Sequence, residues 1–169
     1  MPTAPAPAPS WTRSERNEMA ADLRPKFWEL PLESLTHPEW EALCDGCGKC
    51  CLNKLEDEET GEVALTNIAC RLLDGATARC RHYANRHAHV PECITLTPRT
   101  IEKHHYWLPQ TCAYKLRFDG QPLPDWHPLL TGDPESVHRA GVSIRGRSVS
   151  EDLVPEDEWE NHIIEEPLP

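Results

Sequence analysis

The chain is poor in what usually fills a protein interior. Of its 169 residues only two are Phe, three Tyr and two Met, and Leu, Ile, Val and Phe together make up about a fifth, a share at the edge of intrinsic disorder. Positive charge is short as well: 17 Lys and Arg stand against 28 Asp and Glu, a formal net charge of -11. That balance argues against nonspecific binding to nucleic acid or anionic membrane, which needs basic surface. No apolar run approaches the ~20 residues that span a bilayer, so no membrane partner is expected. There is no glycine-rich phosphate loop and no nucleophile triad, so the chain does not read as a self-contained enzyme and no catalytic residue is assigned. The first ten residues alternate Pro and Ala and carry neither the basic nor the apolar region of a secretory leader. A cytoplasmic location is therefore expected, where thiols stay reduced.

What the chain does have is cysteine and tryptophan, eight and six respectively. A thin core can fold if a metal or disulfides staple it, and in a reducing compartment a cysteine pattern points to metal. Four cysteines fall within Cys44-Asp45-Gly46-Cys47-Gly48-Lys49-Cys50-Cys51; Cys70, Cys80, Cys93 and Cys112 follow singly. Two thiolates at C-x-x-C spacing chelate one tetrahedral ion in zinc knuckles. Three in series are less usual for zinc and match the C-x-x-C-x-x-C run of bacterial-type ferredoxins, without its next cysteine and proline. The expected metal ligands are Cys44, Cys47, Cys50, Cys51, Cys70, Cys80, Cys93 and Cys112, holding an iron–sulfur cluster or Zn2+, with the spacing leaning to iron.

Adjacent side chains diverge, so Cys50 and Cys51 are expected to face different sites, or one of them to be a bridging or spare thiol. One division puts Cys44, Cys47 and Cys50 with one distal cysteine, and Cys51 with three others. The spacing leaves open which distal residue joins which set, and a single site with the remaining thiols merely buried stays open too. The nine histidines read mostly as surface or packing residues. His82, His87, His89 and the pair His104-His105 are weaker ligand candidates, and His127 is expected to make a loop hydrogen bond. Trp11, Trp28, Trp107, Trp126 and Trp159 read as packing rather than as an interface, and no protein partner is indicated. Three other functions compete with a structural centre: an electron-transfer or redox-sensing cluster, metal storage or delivery, and a thiol–disulfide catalyst. The last lacks the strand-then-helix context that C-x-x-C needs there.

The expected fold class is α+β: a small irregular domain of short helices and hairpins organised around a cysteine metal centre. A Pro/Ala-rich, charged tail is expected over 1–24 and a single domain over 25–169. Met19, Leu23 and Phe27 are spaced for one face of a short helix interrupted by Pro25. Thr36-His37-Pro38-Glu39 reads as a capping box, starting a helix that buries Trp40 and Leu43 and delivers Cys44. Gly46 and Gly48 let the backbone turn. Glu56–Glu62 reads as a solvated acidic turn, Val63–Ala69 as a strand, and Asp74-Gly75 as the turn of a hairpin from Cys70 to Cys80. Thr97-Pro98 is expected to open a helix, and Cys112–Phe118 to be helical up to Asp119-Gly120. Leu123–Gly132 reads as a Pro-rich loop over the core. Gly141–Val149 reads as a strand with Val142 and Ile144 inward, and Glu156–Ile164 as an amphipathic helix carrying Trp159 and Ile163.

The run Cys44-x-x-Cys47-x-x-Cys50-Cys51 resembles the signature of the bacterial C-x-x-C-x-x-C-C cysteine-cluster family of the YkgJ type. Cys80-Arg81-His82-Tyr83-Ala84-Asn85-Arg86, leading to Cys93, is similar to that family's C-x-x-Y-x-x-R segment. Cys70 with Leu72 takes the place of its C-P-x-L step, Arg71 replacing the proline. The segments 40–48, 108–114 and 126–132 look like the YcgN branch, and the resemblance covers about residues 27–165. It implies a zinc- or iron-chelating cysteine-cluster domain; it does not imply a reaction.

Overall fold

The computed structural model describes residues 22–166. Most of the expected Pro/Ala tail, with Trp11 and Met19, lies outside them. In chain order the regular elements are α1 (His37–Ala42), β1 (Leu52–Glu56), β2 (Val63–Ala69), β3 (Leu73–Asp74), β4 (Arg79–Cys80), α2 (Arg86–His89), α3 (Ile101–His104), α4 (Ala113–Phe118), α5 (Pro128–Thr131), α6 (Ser136–Arg139), β5 (Val149–Ser150) and β6 (Ile163–Ile164). Short 3-10 turns join several of them, the longest over Glu156–His162. The mixture of short helices and small sheets is the α+β class expected.

The capping box forms. The Thr36 hydroxyl accepts from Glu39 N at 3.4 Å, and Glu39 Oε2 accepts from Thr36 N at 2.9 Å. Reciprocal bonds of this kind satisfy amide donors that a helix start leaves unpaired. The Glu39 carboxylate is also gripped by Arg24, Nε to Oε1 at 2.7 Å and Nη2 to Oε2 at 2.6 Å, so it is buried but fully paired. α1 presents Trp40 and Leu43 to a core shared with Phe27, Ile101, Leu108 and Tyr114. The Tyr114 hydroxyl donates to Trp40 O at 2.8 Å, which docks α4 on α1.

A second core lies against the sheet, from Leu52, Leu65, Ala69, Leu73, Ala78 and Ile144. β2 is the central strand. It pairs antiparallel with β1, Leu55 opposite Ala64 and Glu56 opposite Val63. Its other edge takes β5 in parallel at Ile68–Ala69 and β6 antiparallel at Leu65–Thr66. The β1–β2 pairing slips between Leu52 and Lys54, and there the buried Thr66 hydroxyl donates to Asn53 O at 2.6 Å. β3 and β4 form a separate hairpin with Leu73 opposite Cys80. The acidic segment between β1 and β2 is an exposed turn, Asp57 Oδ1 accepting from Glu59 N and Thr60 N.

Several expected elements change. Residues 22–26 are turn and coil, not helix; Pro25 and Lys26, at φ 53°, break the helical path. Leu23 nonetheless packs on the first core. Helix α3 begins at Ile101, because the Thr97 hydroxyl accepts from Arg99 N and Thr100 N and folds 97–100 into a turn first. The 123–132 loop contains a helical turn, α5, capped by His127. Gly141–Val149 is no strand. Gly141 and Gly146 both sit at φ 74°, and Arg147 N bonds Ile144 O in a turn, so only Val149–Ser150 joins the sheet. Val142 and Ile144 are buried as expected. The segment from Glu156 is a 3-10 turn followed by β6, with Ile163 outward and Ile164 on the second core.

Candidate metal centre

The cysteine loop leaves α1 at Leu43, whose carbonyl bonds His127 Nε2 at 3.0 Å. The His127 ring is fully buried and its Nδ1 accepts from Leu129 N, so the neutral ring donates from Nε2; burial lowers its pKa and keeps it in that form. This is the loop hydrogen bond expected of His127. Gly46 at φ 80° and Gly48 at φ 74° then reverse the backbone. Gly48 is sterically required as well: a Cβ there would lie 2.9 Å from Ala78 O and 3.0 Å from Ile144 Cγ2. The loop is pinned outward by Ile144 N donating to Cys47 O, and by Cys70 N donating to Cys51 O, both at 2.9 Å.

All eight cysteines are free thiols, and the fold gathers them into two neighbourhoods. In the first, Cys44, Cys50 and Cys112 are close enough for their charges to act on one another, and Cys44 and Cys50 act on Cys47. In the second, the charges of Cys70 and Cys80 act on Cys51, and those of Cys80 and Cys93 on Cys70. Cys50 and Cys51 join the two. The Cys51 thiol donates to Cys50, which lowers the Cys50 pKa and raises that of Cys51. Among the described residues, no three His, Cys, Asp or Glu side chains stand as a finished metal cage.

In the first neighbourhood Cys47 is buried, Cys112 is half-buried, and Cys44 and Cys50 are exposed. Burial drives the Cys44 and Cys47 thiols well above the ordinary value and pushes Cys112 up to about 12. The Asp45 carboxylate adds to each of these rises. One of its oxygens takes the Cys47 amide at 2.9 Å; the other, Oδ2, is buried with no hydrogen-bond partner in the described chain. An unpaired buried carboxylate oxygen is costly. Opposing it are backbone amides, which favour the thiolate: Gly46 N–H at Cys44, Lys49 N–H at Cys47, and Lys115 and Tyr114 N–H at Cys112. The second neighbourhood shows the same device, Leu72 N donating to Cys70 Sγ at 3.5 Å. At Cys44, Cys47 and Cys70 the amide lies two residues beyond the cysteine, and at Cys112 the Tyr114 amide does too. Amide bonds to sulfur stabilise thiolate ligands of zinc and of iron–sulfur clusters. Free thiols beside an unpaired carboxylate oxygen suit a cationic metal in donor type and in sign of charge.

Residues that sequence reasoning did not single out complete the site. Lys49 is fully buried; its Nζ donates to Thr111 Oγ1 at 2.7 Å and pairs with Glu166 Oε1 at 2.8 Å. Glu166 Oε2 also accepts from Gln110 N at 3.0 Å. Lys54 lies over the Trp107 ring, 5.6 Å from its centroid, and donates to Leu52 O. Burial lowers its pKa against the opposing charges of Cys50 and Cys51. A lysine inside a cysteine loop was the only signal for Lys49, and its partner lies 117 residues away.

The weaker histidine candidates do other work. His82 and His89 stack on one another with ring centroids 4.5 Å apart, His87 Nε2 bonds Cys93 O, and His105 lies 3.5 Å from Asp119. Trp28, Trp107, Trp126 and Trp159 are half-buried, which suits packing. No helix among the described residues is long and apolar enough to cross a membrane.

A family model described as "CxxCxxCC: Putative zinc- or iron-chelating domain" matches residues 43–113. A UPF0260 protein of Rhodobacter capsulatus is 62% identical, over 88% of this chain and 99% of its own. UPF0260 proteins of Marinobacter nauticus and Azotobacter vinelandii are 58% and 56% identical, over 82% and 86% of this chain and 93% and 97% of theirs. No solved structure is significantly similar.

Proposed function

The chain belongs to the UPF0260 family, and from that premise we propose that it is a cytoplasmic metal-binding protein whose cysteines hold zinc or an iron–sulfur centre. The domain is residues 25–169, and within the cysteine-cluster proteins we assign it to the YcgN branch on the segments 40–48, 108–114 and 126–132. The ligands are Cys44, Cys47, Cys50, Cys51, Cys70, Cys80, Cys93 and Cys112. The three-in-series spacing of Cys44, Cys47 and Cys50 favours iron.

The observation that carries this reading is the drawing together of eight free thiols around the 44–51 loop, with Cys70 N donating to Cys51 O and Lys49 Nζ to Thr111 beside Cys112. Burial and Asp45 raise the Cys44, Cys47 and Cys112 pKa values while backbone N–H groups pull them back. A metal cation supplies the positive charge that makes a buried thiolate favourable, and an iron–sulfur centre would add electron transfer. The chain's own part is to hold the sulfurs. His127 fixes the end of α1, Ile144 fixes Cys47, and Lys49 and Lys54 set cationic charge beside the Cys50 and Cys112 region.

Anaerobic purification followed by a visible spectrum and analysis for iron, zinc and acid-labile sulfide tests the reading. Metal bound in fixed ratio to the chain is expected. A band near ~400 nm that dithionite bleaches, with iron and sulfide, identifies a redox-capable cluster; a colourless zinc protein identifies a structural site. A chain that carries no metal and keeps native near-UV signal defeats the proposal.

A further inference from the structure

Which of the distal cysteines joins the Cys44–Cys50 loop is decided by tethers that do not involve sulfur. Cys112 is brought there by a three-bond clip. Lys49, inside the loop, donates to Thr111 Oγ1, the residue next to Cys112. Glu166 then bonds Lys49 Nζ with one carboxylate oxygen and Gln110 N with the other. Tyr114, two residues beyond Cys112, bonds Trp40 O on the helix that delivers Cys44. The segment carrying Cys112 is thus tied to the loop at Lys49, beside Cys50, and to the helix that precedes Cys44.

The other three distal cysteines are tied to Cys51. Cys70 N donates to Cys51 O at 2.9 Å. Cys80 stands opposite Leu73 in the β3–β4 hairpin, and Leu73 N bonds Cys70 O at 2.8 Å. Arg71, adjacent to Cys70, reaches His89 O at 2.6 Å, and Cys93 N bonds Val90 O at 3.1 Å, which draws the Cys93 turn to the same side. Cys51, Cys70, Cys80 and Cys93 are all half-exposed; in the first group Cys47 is buried, Cys112 is half-buried, and Cys44 and Cys50 are exposed.

We propose that the eight cysteines form two separate four-thiolate metal centres, Cys44, Cys47, Cys50 and Cys112 in one and Cys51, Cys70, Cys80 and Cys93 in the other, adjoining at Cys50–Cys51. The proposal rests on the metal-binding reading and goes beyond it by assigning every ligand.

The first test uses the unmodified full chain. It is reconstituted with Zn2+, stripped stepwise with a chelator, pulse-alkylated and mapped by mass spectrometry. Cys44, Cys47, Cys50 and Cys112 are expected to become reactive together, and Cys51, Cys70, Cys80 and Cys93 together, in two separate steps. Loss of Cys112 protection in step with Cys70 and Cys93 overturns the assignment. So does a single concerted loss of all eight. The second test loads the chain with 113Cd2+ and counts cadmium resonances. Two lines are expected; Cys112→Ser removes one and Cys93→Ser the other, each halving bound cadmium. One line, or the same line lost in both variants, overturns the two-centre proposal while leaving metal binding standing. A chain that binds neither metal overturns both.

Discussion

Lys49 is the residue on which the first neighbourhood depends most. Its ammonium is fully buried, so its charge is tolerated only because Glu166 and Thr111 meet it. Removing one partner of such a pair costs more than replacing both, because the other charge stays buried and unmatched. Lys49→Met is expected to lose about 3–5 kcal/mol of stability, and Lys49→Met with Glu166→Gln to lose less. Urea unfolding of the metal-loaded proteins measures both; a double variant as unstable as the single one rejects the pairing. Glu39 gives a pH dependence. The Arg24 guanidinium hydrogen-bonded to it, helped by the Thr36 and Arg24 amides, holds its carboxyl at about 2 against an ordinary 4.5. A carboxyl depressed on folding stabilises fully above its unfolded pKa, and the benefit is lost as pH falls through the folded one. Stability supplied by Glu39 should therefore drain away between pH 4.5 and about 2. Glu39→Gln should be less stable at neutral pH and show a shallower acid slope in that window. Parallel curves for the two proteins would exclude this role. The capping box was legible because its partners are three residues apart; the Arg24 grip on the same carboxylate spans 15 residues and was not.

At the scale of elements, the cysteine loop and the β3–β4 hairpin meet at Gly48. That glycine combines a left-handed φ of 74° with backbone and side-chain atoms 2.9–3.0 Å from where a Cβ would lie. Gly61, at φ 71° in the acidic turn, has nothing within 4 Å. Gly61→Ala is expected to cost only the left-handed penalty, about 1–2 kcal/mol. Gly48→Ala should cost that and a further ~1–3 kcal/mol of overpacking, and should lower metal content by displacing Cys47 and Cys50. Denaturation midpoints and zinc content of the two variants check this; equal losses would show that the close approach is not a constraint. Strand β2 and the turns on either side were legible from alternation and turn residues. Strands β5 and β6 were not, since a two-residue strand has no period to read. The expected Gly141–Val149 strand failed because Ile144 spends its amide on Cys47 O and not on a sheet partner.

At the scale of the whole molecule, two small cores flank the cysteine loop, and neither is large. Structural zinc supplies about 10–16 kcal/mol where a domain's total stability is about 5–15 kcal/mol. Removing the last bound metal is therefore expected to unfold the chain and not merely loosen the loop. Near-UV circular dichroism before and after chelation measures it, and a retained native signal in the stripped protein would show that the cores suffice. The half-buried tryptophans Trp126 and Trp159 report the change by fluorescence.

The sequence alone determined the α+β class, the start of α1, strand β2, the hairpin after Cys70 and the helix after Cys112. Each of these depends on residues within a few positions of one another, where spacing controls geometry. The tertiary structure alone decided that the segment before Cys112 is clipped to the cysteine loop through Lys49, that Cys70 N bonds Cys51 O, and that Lys49 is buried against Glu166. Those outcomes depend on which distant segments share hydrogen bonds and a core. Local spacing carries no record of them.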